Sequence, residues 1–226
     1  MQRDGFYVII NIMINLTKPY KDDMIIPISV SLINNELNID VYPEFLSVAK
    51  EYAQKYKGRY FSEDALSFLD KNIAADGYIR YDDPLEYYIV FEGSNAKTTD
   101  IDVLDIENAD YALDETEFEA DVIKEEGQPA SVIVRDGRIA AISAANYFIE
   151  DDEDEVELAV ETLPDYRGIG YGSAVLCHMA HKVIGMGKLP TYRASCFNKA
   201  SVATALSCGF VEIGKEYYYN CYKEDQ

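Results

Sequence analysis

Residues 158–176 read LAVETLPDYRGIGYGSAVL, and they decide the fold. The first part alternates. Val156, Leu158, Val160 and Thr162 fall on one face of a strand, and Glu157, Ala159 and Glu161 on the other. Pro164 closes that pattern, and a helix-forming run follows, expected to continue to about Met186. Gly168, Gly170 and Gly172 lie between the two. Glycines at a strand-to-helix junction let the backbone turn several N–H groups toward one point. The helix start adds partial positive charge, so the junction suits phosphate oxygens. A dinucleotide-binding loop would need a third glycine where Ser173 stands, and a P-loop would need a lysine after Gly172; neither pattern fits. A glycine-rich turn without a ligand is the alternative for the loop alone.

Outward from this stretch, Asp136-Gly137 is a favoured pair for a tight hairpin, here between strands expected over 131–135 and 138–148. The acidic run 150–155 is expected as an exposed turn. After the helix come a strand over 191–196, a helix over 199–207 capped by Asn198, a stop at Gly209, and a last strand over 210–222, kinked at Gly214. The order is β-β-β-loop-α-β-α-β. Upstream, strands are expected over 6–16, 27–33, 37–42 and 85–92. A helix over 43–57 would bury Phe45, Leu46, Ala49, Tyr52, Ala53 and Tyr56, and Ser62 would cap another over 63–71. The segment 6–16 is apolar, yet Asn11 and Asn15 interrupt it and no small-residue cleavage site follows. It reads as a buried strand rather than a secretory leader.

The 226-residue chain carries 41 acids against 20 Lys and Arg, a net charge of −21. Such a surface repels nucleic acid and anionic membranes. No run of 18 apolar residues exists to cross a bilayer. The charge is uneven. Residues 164–215 hold Arg167, Lys182, Lys188, Arg193, Lys199 and Lys215 against Asp165 and Glu212, a balance of +4, whereas residues 1–163 carry −23. A basic island in an acidic chain hints at an anion site. Cys177, Cys196, Cys208 and Cys221 form no CxxC pair and read as reduced thiols in a cytoplasm. His178 and His181, three apart on one helix, have no further histidine to complete a metal set, and no metal is expected.

Arg167-x-x-Gly170-x-Gly172 after a strand resembles the cofactor signature of the GCN5-related N-acetyltransferase (GNAT) family. NKASVATALSCGF at 198–210, an Asn opening a helix and a Gly-Phe closing it, resembles that family's second motif. The resemblance covers about 130–222. The wider segment LPTYRASCFNKASVATALSCGF at 189–210 is similar to a subgroup with an extra N-terminal domain. It implies an α+β fold: a mixed, mostly antiparallel sheet flanked by helices, preceded by a smaller N-terminal domain. The expected division is 1–115 and 116–226, with the boundary somewhere in 105–128.

The resemblance implies that two neighbouring strands splay to admit the pantetheine arm of acetyl-CoA, or another acyl-CoA, along Val160, Glu161 and Thr162. The N–H groups of Arg167, Gly168, Ile169, Gly170, Tyr171, Gly172 and Ser173 would cradle the pyrophosphate. Asn198 and Ser201 would touch the pantetheine or adenosine side, although both positions also suit simple helix capping.

The implied activity is acetyl transfer to a primary amine of a small molecule or peptide. A base must deprotonate the ammonium, a donor must stabilise the oxyanion, and the thiolate must leave. Glu157 and Glu161 are the candidate bases, with Glu157 ahead because it lies farther from the phosphate end; solvation of both on an exposed face is the alternative. A backbone N–H near Val160 would serve the oxyanion. Many relatives place a tyrosine, as thiolate acid, where Ala205 stands; Tyr217, Tyr218, Tyr219 and Tyr222 are substitutes by proximity in sequence. The acidic N-terminal part favours a cationic acceptor, and would shape the acceptor cleft or hold a homodimer. The rival reading is a CoA-binding sensor that keeps the fold without turnover.

Overall fold

The computed structural model describes residues 11–17, 25–80, 86–150 and 154–223. In chain order the strands and helices are β1 (Asn11–Leu16), β2 (Ile28–Ile33), β3 (Glu36–Val41), α1 (Leu46–Lys55), α2 (Glu63–Ala74), β4 (Tyr78–Arg80), β5 (Tyr88–Glu92), β6 (Leu104–Asp105), α3 (Ala120–Glu125), β7 (Ala130–Arg135), β8 (Arg138–Ala145), β9 (Glu155–Thr162), α4 (Tyr171–Gly185), β10 (Leu189–Ser195), α5 (Lys199–Ser207), β11 (Val211–Tyr218) and β12 (Cys221–Lys223). Two compact units result. One takes the described residues of Met1–Ile89, Ser195–Phe197 and Ile213–Gln226; the other is Val90–Ala194 with Asn198–Glu212. Among the described residues no helix is long and apolar enough to cross a membrane.

In the first unit β2 and β3 form an antiparallel hairpin, β1 pairs with β3 in parallel, and Gly214–Tyr218 of β11 pair with β2. Helix α1 buries Ala49, Tyr52 and Ala53, and Phe45 and Tyr56 flank them, so the expected apolar face is present. Three expectations change. Residues 11–16 of the apolar N-terminal segment form a strand, but an exposed one, because β3 is its one partner among the described residues; Leu16 is 60% exposed. Residues 6–10 lie outside the described residues. Ser62 stands before α2 without capping it, since its hydroxyl bonds the Arg59 carbonyl and the Asp64 carboxylate instead. Finally, β11 runs straight through Gly214 and stops at Tyr218, with β12 a separate strand on β4. A Cβ at Gly214 would meet the Leu32 carbonyl at 2.2 Å, so this glycine serves close strand approach and not a kink.

The second unit follows the expected element order. Strands β6, β7, β8 and β9 are antiparallel neighbours, and β10 joins β9 in parallel, giving a mixed, mostly antiparallel sheet. Asp136 and Gly137, at φ 53° and 74°, make the tight turn between β7 and β8. Strand β8 ends at Ala145, short of Phe148, because its pairing with β9 ends at Ala145↔Leu158. Of the run 150–155, residues 151–153 lie outside the described residues and Glu155 already belongs to β9. One face of the sheet packs on α3 through Ala120, Ile123, Ala130, Val132, Ile142 and Ala144. The other packs on α4 through Ile133, Ala140, Ala141, Ala174 and Val175. The acid-rich stretch 105–128 therefore lies inside this unit: Ile106, Ala109, Ala120 and Ile123 are buried in its core, and Tyr111 and Phe118 pack against them.

Candidate functional site

Strands β9 and β10 pair from Glu155↔Leu189 only as far as Leu158↔Tyr192. Beyond Leu158, β8 is the one sheet neighbour of β9 among the described residues. Leu163 N–H donates to Ala140 O and Asn146 N–H donates to Glu157 O. By the two-residue period of a strand, odd-numbered residues of β9 turn their backbone groups to β8. Val160 and Thr162 turn theirs to the side that β10 has left. The Thr162 carbonyl there accepts from Arg167 Nε at 2.9 Å.

Below this opening starts α4. Gly170, at φ 91°, is its N-cap and offers no side chain; the first helical bond across the junction is Ala174 N–H to Gly170 O. The N–H groups of Tyr171, Gly172 and Ser173 therefore have no partner within the helix and point to its N-terminal end. Gly172 is needed for a different reason: a Cβ there would lie 3.0 Å from Thr162 Oγ1, so glycine lets the helix start lie against β9. The Ser173 hydroxyl is spent locally. Ser207 gives its proton to Thr204 O, so Ser173 must donate to Ser207, 2.5 Å away.

Val160, Glu161, Thr162, Arg167, Gly168, Gly170, Tyr171, Gly172, Ser173, Asn198 and Ser201 all line one groove of about 610 Å³. Ile169 does not line it and is exposed. The groove is large enough for an extended small molecule, and it combines unpaired strand-edge groups with helix N–H donors. Those are the partners a pantetheine arm and a pyrophosphate need, so the residues present fit an acyl-CoA. Asn198 does cap α5, accepting from Ser201 N–H at 3.0 Å through Oδ1, which leaves its Nδ2 donor outside that cap.

Tyr217, Tyr218, Tyr219 and Tyr222 do not line the groove. Tyr217 and Tyr219 are buried, with Tyr217 bonded to Arg80 and Tyr219 to Tyr78 O. Tyr192, which the sequence did not single out, does line it. It is the last residue of β10 paired with β9, and its hydroxyl lies 2.6 Å from Ser201 Oγ. Burial pushes that phenol above its ordinary value, with the Ser201 bond acting the other way. Period-2 reading of 190–194 was the available signal, since Pro190, Tyr192 and Ala194 are all buried.

On the α3 side of the sheet a second cavity, about 780 Å³, is lined by Val160, Glu161 and Arg167 as well, together with Glu117, Phe118, Tyr147 and Phe148. Glu161 thus faces both spaces, and its Oε2 accepts from Glu117 N–H at 2.8 Å. Glu157 lines neither. Its Oε1 accepts from Asn146 Nδ2 at 2.7 Å and its Oε2 pairs with Arg193. His178 Nδ1 lies 2.8 Å from Ser131 Oγ and joins α4 to β7.

No curated protein matches this chain. Solved structures resemble it distantly. A GCN5-related N-acetyltransferase-like protein from Streptococcus suis is 16% identical, covering 69% of this chain and 68% of that one, with a TM-score of 0.45. An acetyltransferase of the GNAT family from Colwellia psychrerythraea is 12% identical over 82% and 76%, with a TM-score of 0.46. A Drosophila protein is 12% identical over 86% and 73%, with a TM-score of 0.50, a likeness of fold alone. The Acetyltransferase (GNAT) family itself matches residues 97–210, half of the chain, and that span holds the splayed strand, the glycine loop and the Asn198 helix. The chain therefore belongs to the acetyltransferase (GNAT) family, the acyl-CoA-dependent N-acetyltransferases.

Proposed function

We propose that this protein transfers acetyl from acetyl-CoA to a primary amine of a small molecule or peptide, with a cationic acceptor favoured by the acidic surface. One observation carries the reading: the groove and the second cavity meet at Val160, Glu161 and Arg167. A donor on the α4 side and an acceptor on the α3 side would face each other through the gap between β9 and β10.

Acetyl-CoA supplies the acetyl group, activated as a thioester. The N–H groups of Gly168, Gly170, Tyr171, Gly172 and Ser173 would receive the pyrophosphate, reinforced by the partial charge at the start of α4, whereas the Arg167 N–H already donates to Pro164 O and Ile169 lies outside the groove. The Val160 carbonyl and the Thr162 N–H, on the edge that β10 has left, would bond the amides of the arm, the Thr162 carbonyl being held by Arg167, and Val160 N–H would donate to the thioester oxygen. Asn198 Nδ2 would reach the arm from α5.

Glu161 would take the proton that the acceptor ammonium must lose. Glu157, with both oxygens already engaged, would instead hold Arg193 and Asn146 in place. Tyr192 keeps its proton at neutral pH because burial raises it, and Ser201 orients the hydroxyl. It would give that proton to the departing thiolate, the task Ala205 cannot perform. The balance closes: the ammonium gives one proton to Glu161 before attack, the C–N bond forms, the C–S bond breaks, Tyr192 gives its proton to the thiolate and regains one from the second proton the nitrogen must lose, and Glu161 releases its proton to water. Four buried thiols suit a reducing, cytoplasmic setting.

Calorimetric titration with acetyl-CoA and free CoA tests the reading. Saturable one-site binding that is lost in Gly170→Trp, followed by thiol release with an amine, supports it. CoA binding without thiol release for any amine makes the protein a sensor. No binding of either ligand overturns the assignment of the groove.

A further inference from the structure

The cavity on the α3 side has an uneven wall. Glu161 and Glu117 stand at one end, beside the groove. Tyr147 and Phe148 stand at the rim, 81% and 52% exposed, and Phe118 lines the wall between α3 and the sheet. Large aromatic side chains left in water around a concave surface mark a ligand or partner site. Glu161 pairs with Ile142, and the β8–β9 register runs on to Ala145, with Tyr147 and Phe148 two and three residues beyond. At roughly 3.3 Å per strand residue, the carboxylate end and the aromatic end are about 10 Å or more apart.

We propose, on the acyl-transfer reading above, that the acceptor is an arylalkylamine, a primary ammonium carried by a short tether on a flat aromatic body. The ammonium sits at Glu161 and Glu117, and the ring lies among Tyr147, Phe148 and Phe118. The aromatic rim supplies stacking or edge-to-face partners and loses its exposed surface in doing so. The Glu161 carboxylate, held by the Glu117 N–H, accepts the ammonium at the point where its proton must be removed.

Other amines fit less well. An amino sugar would bring several hydroxyls that need polar partners, yet Gln128 Oε1 already accepts from Ile149 N–H and Asn146 Nδ2 already donates to Glu157. A polyamine would place further charges where the wall is apolar.

The test uses the full chain. Equilibrium dialysis measures 2-phenylethylamine binding with saturating CoA. Thiol release from acetyl-CoA is then compared for 2-phenylethylamine, propylamine, spermidine, glucosamine and a lysine tripeptide. We expect kcat/KM for 2-phenylethylamine to exceed each of the others by roughly tenfold or more. In Tyr147→Ser/Phe148→Ser its advantage over propylamine should shrink to within about threefold. Both residues are exposed, so folding of that variant is checked by its thermal transition. Preference for spermidine, glucosamine or the peptide overturns the inference, as does an unchanged advantage in the rim variant. The two readings separate cleanly. Saturable 2-phenylethylamine binding without thiol release supports the site and defeats acyl transfer; thiol release with other amines and no 2-phenylethylamine binding defeats the site alone.

Discussion

Tyr192 Oη and Ser201 Oγ lie 2.6 Å apart, joining the last β9-paired residue of β10 to the first turn of α5. On the proposed function, the contact would hold Tyr192 as the proton donor for the leaving thiolate. Burial raises the phenol above its ordinary value, so it remains protonated throughout the neutral range. Tyr192→Phe should therefore lower kcat by roughly 100-fold at pH 8, with CoA affinity little changed. It should also remove any alkaline fall in rate that comes from ionisation of this phenol. A thioester with a more acidic thiol should recover much of the lost rate, because that leaving group needs less help. A uniform loss with every thioester would reduce Tyr192 to a packing residue. Ser201→Ala should give a smaller loss of the same kind.

The two glutamates of β9 should separate in kinetics. Glu161→Gln removes the proton acceptor at the junction of the cavities and should cost roughly 100-fold in kcat while sparing CoA binding. Glu157→Gln should act first on stability. It takes the anion from Arg193, a largely shielded pair, at a cost of about 1 kcal/mol read as a lower Tm. A kcat loss in Glu157→Gln larger than that in Glu161→Gln would reverse the assignment and return the base to the residue farther from the phosphate end.

Gly172 should tolerate nothing larger without loss of the groove. An added Cβ meets Thr162 Oγ1 at 3.0 Å, and the extra methyls of valine turn toward Val160 Cγ2 and Thr204 Cγ2. Relief requires the start of α4 to move away from β9, which shifts the N–H donors that the pyrophosphate would use. CoA affinity should fall in the order Gly, Ala, Val, by about tenfold or more for valine, with a stability loss of about 1–3 kcal/mol. Calorimetry and thermal melting report the two effects separately. Equal affinity in Gly172→Val would show that the groove does not hold the cofactor.

What could be read in advance follows physical locality. The Asp136-Gly137 turn and the Asn198 cap each depend on a few adjacent residues whose types dictate the backbone, and each appears as expected; the helix expected to follow Gly172 already begins at Tyr171, because Gly170 takes the N-cap position. The pairs that shape the site depend on register between distant segments. Glu157 meets Arg193 across 36 positions only because β9 and β10 run parallel with Thr191 opposite Glu157. Tyr192 becomes a groove residue because pairing stops beside it, and no composition signal marks where strands part. Helix α3 was hidden for another reason. It has six residues, buries only Ala120 and Ile123, and lies in an acidic stretch that looks like a linker.

The first unit should be sensitive to alkali. Burial raises the hydroxyls of Tyr52, Tyr60, Tyr78, Tyr217 and Tyr219 above the ordinary phenol range. It also pushes the Cys221 thiol from 9.0 up to about 12. All six groups keep their protons in the folded unit at pH values where the unfolded chain releases them. Between about pH 9 and 12 the unfolded state therefore binds fewer protons than the native state, and stability falls as pH rises. Below pH 9 both states are protonated at these sites, and the contribution is flat and fully present. We expect Tm to be nearly constant from pH 7 to 9 and to drop steeply above it, with phenolate absorbance at 295 nm appearing together with unfolding. Cys221→Ala should leave Tm less dependent on pH between 9 and 10, where the thiol is the first of the six to titrate in the unfolded chain. Phenolate absorbance that rises smoothly well before the melt would mean that these tyrosines ionise within the folded unit, and that their burial is looser than the packing around Tyr52 and Tyr217 implies.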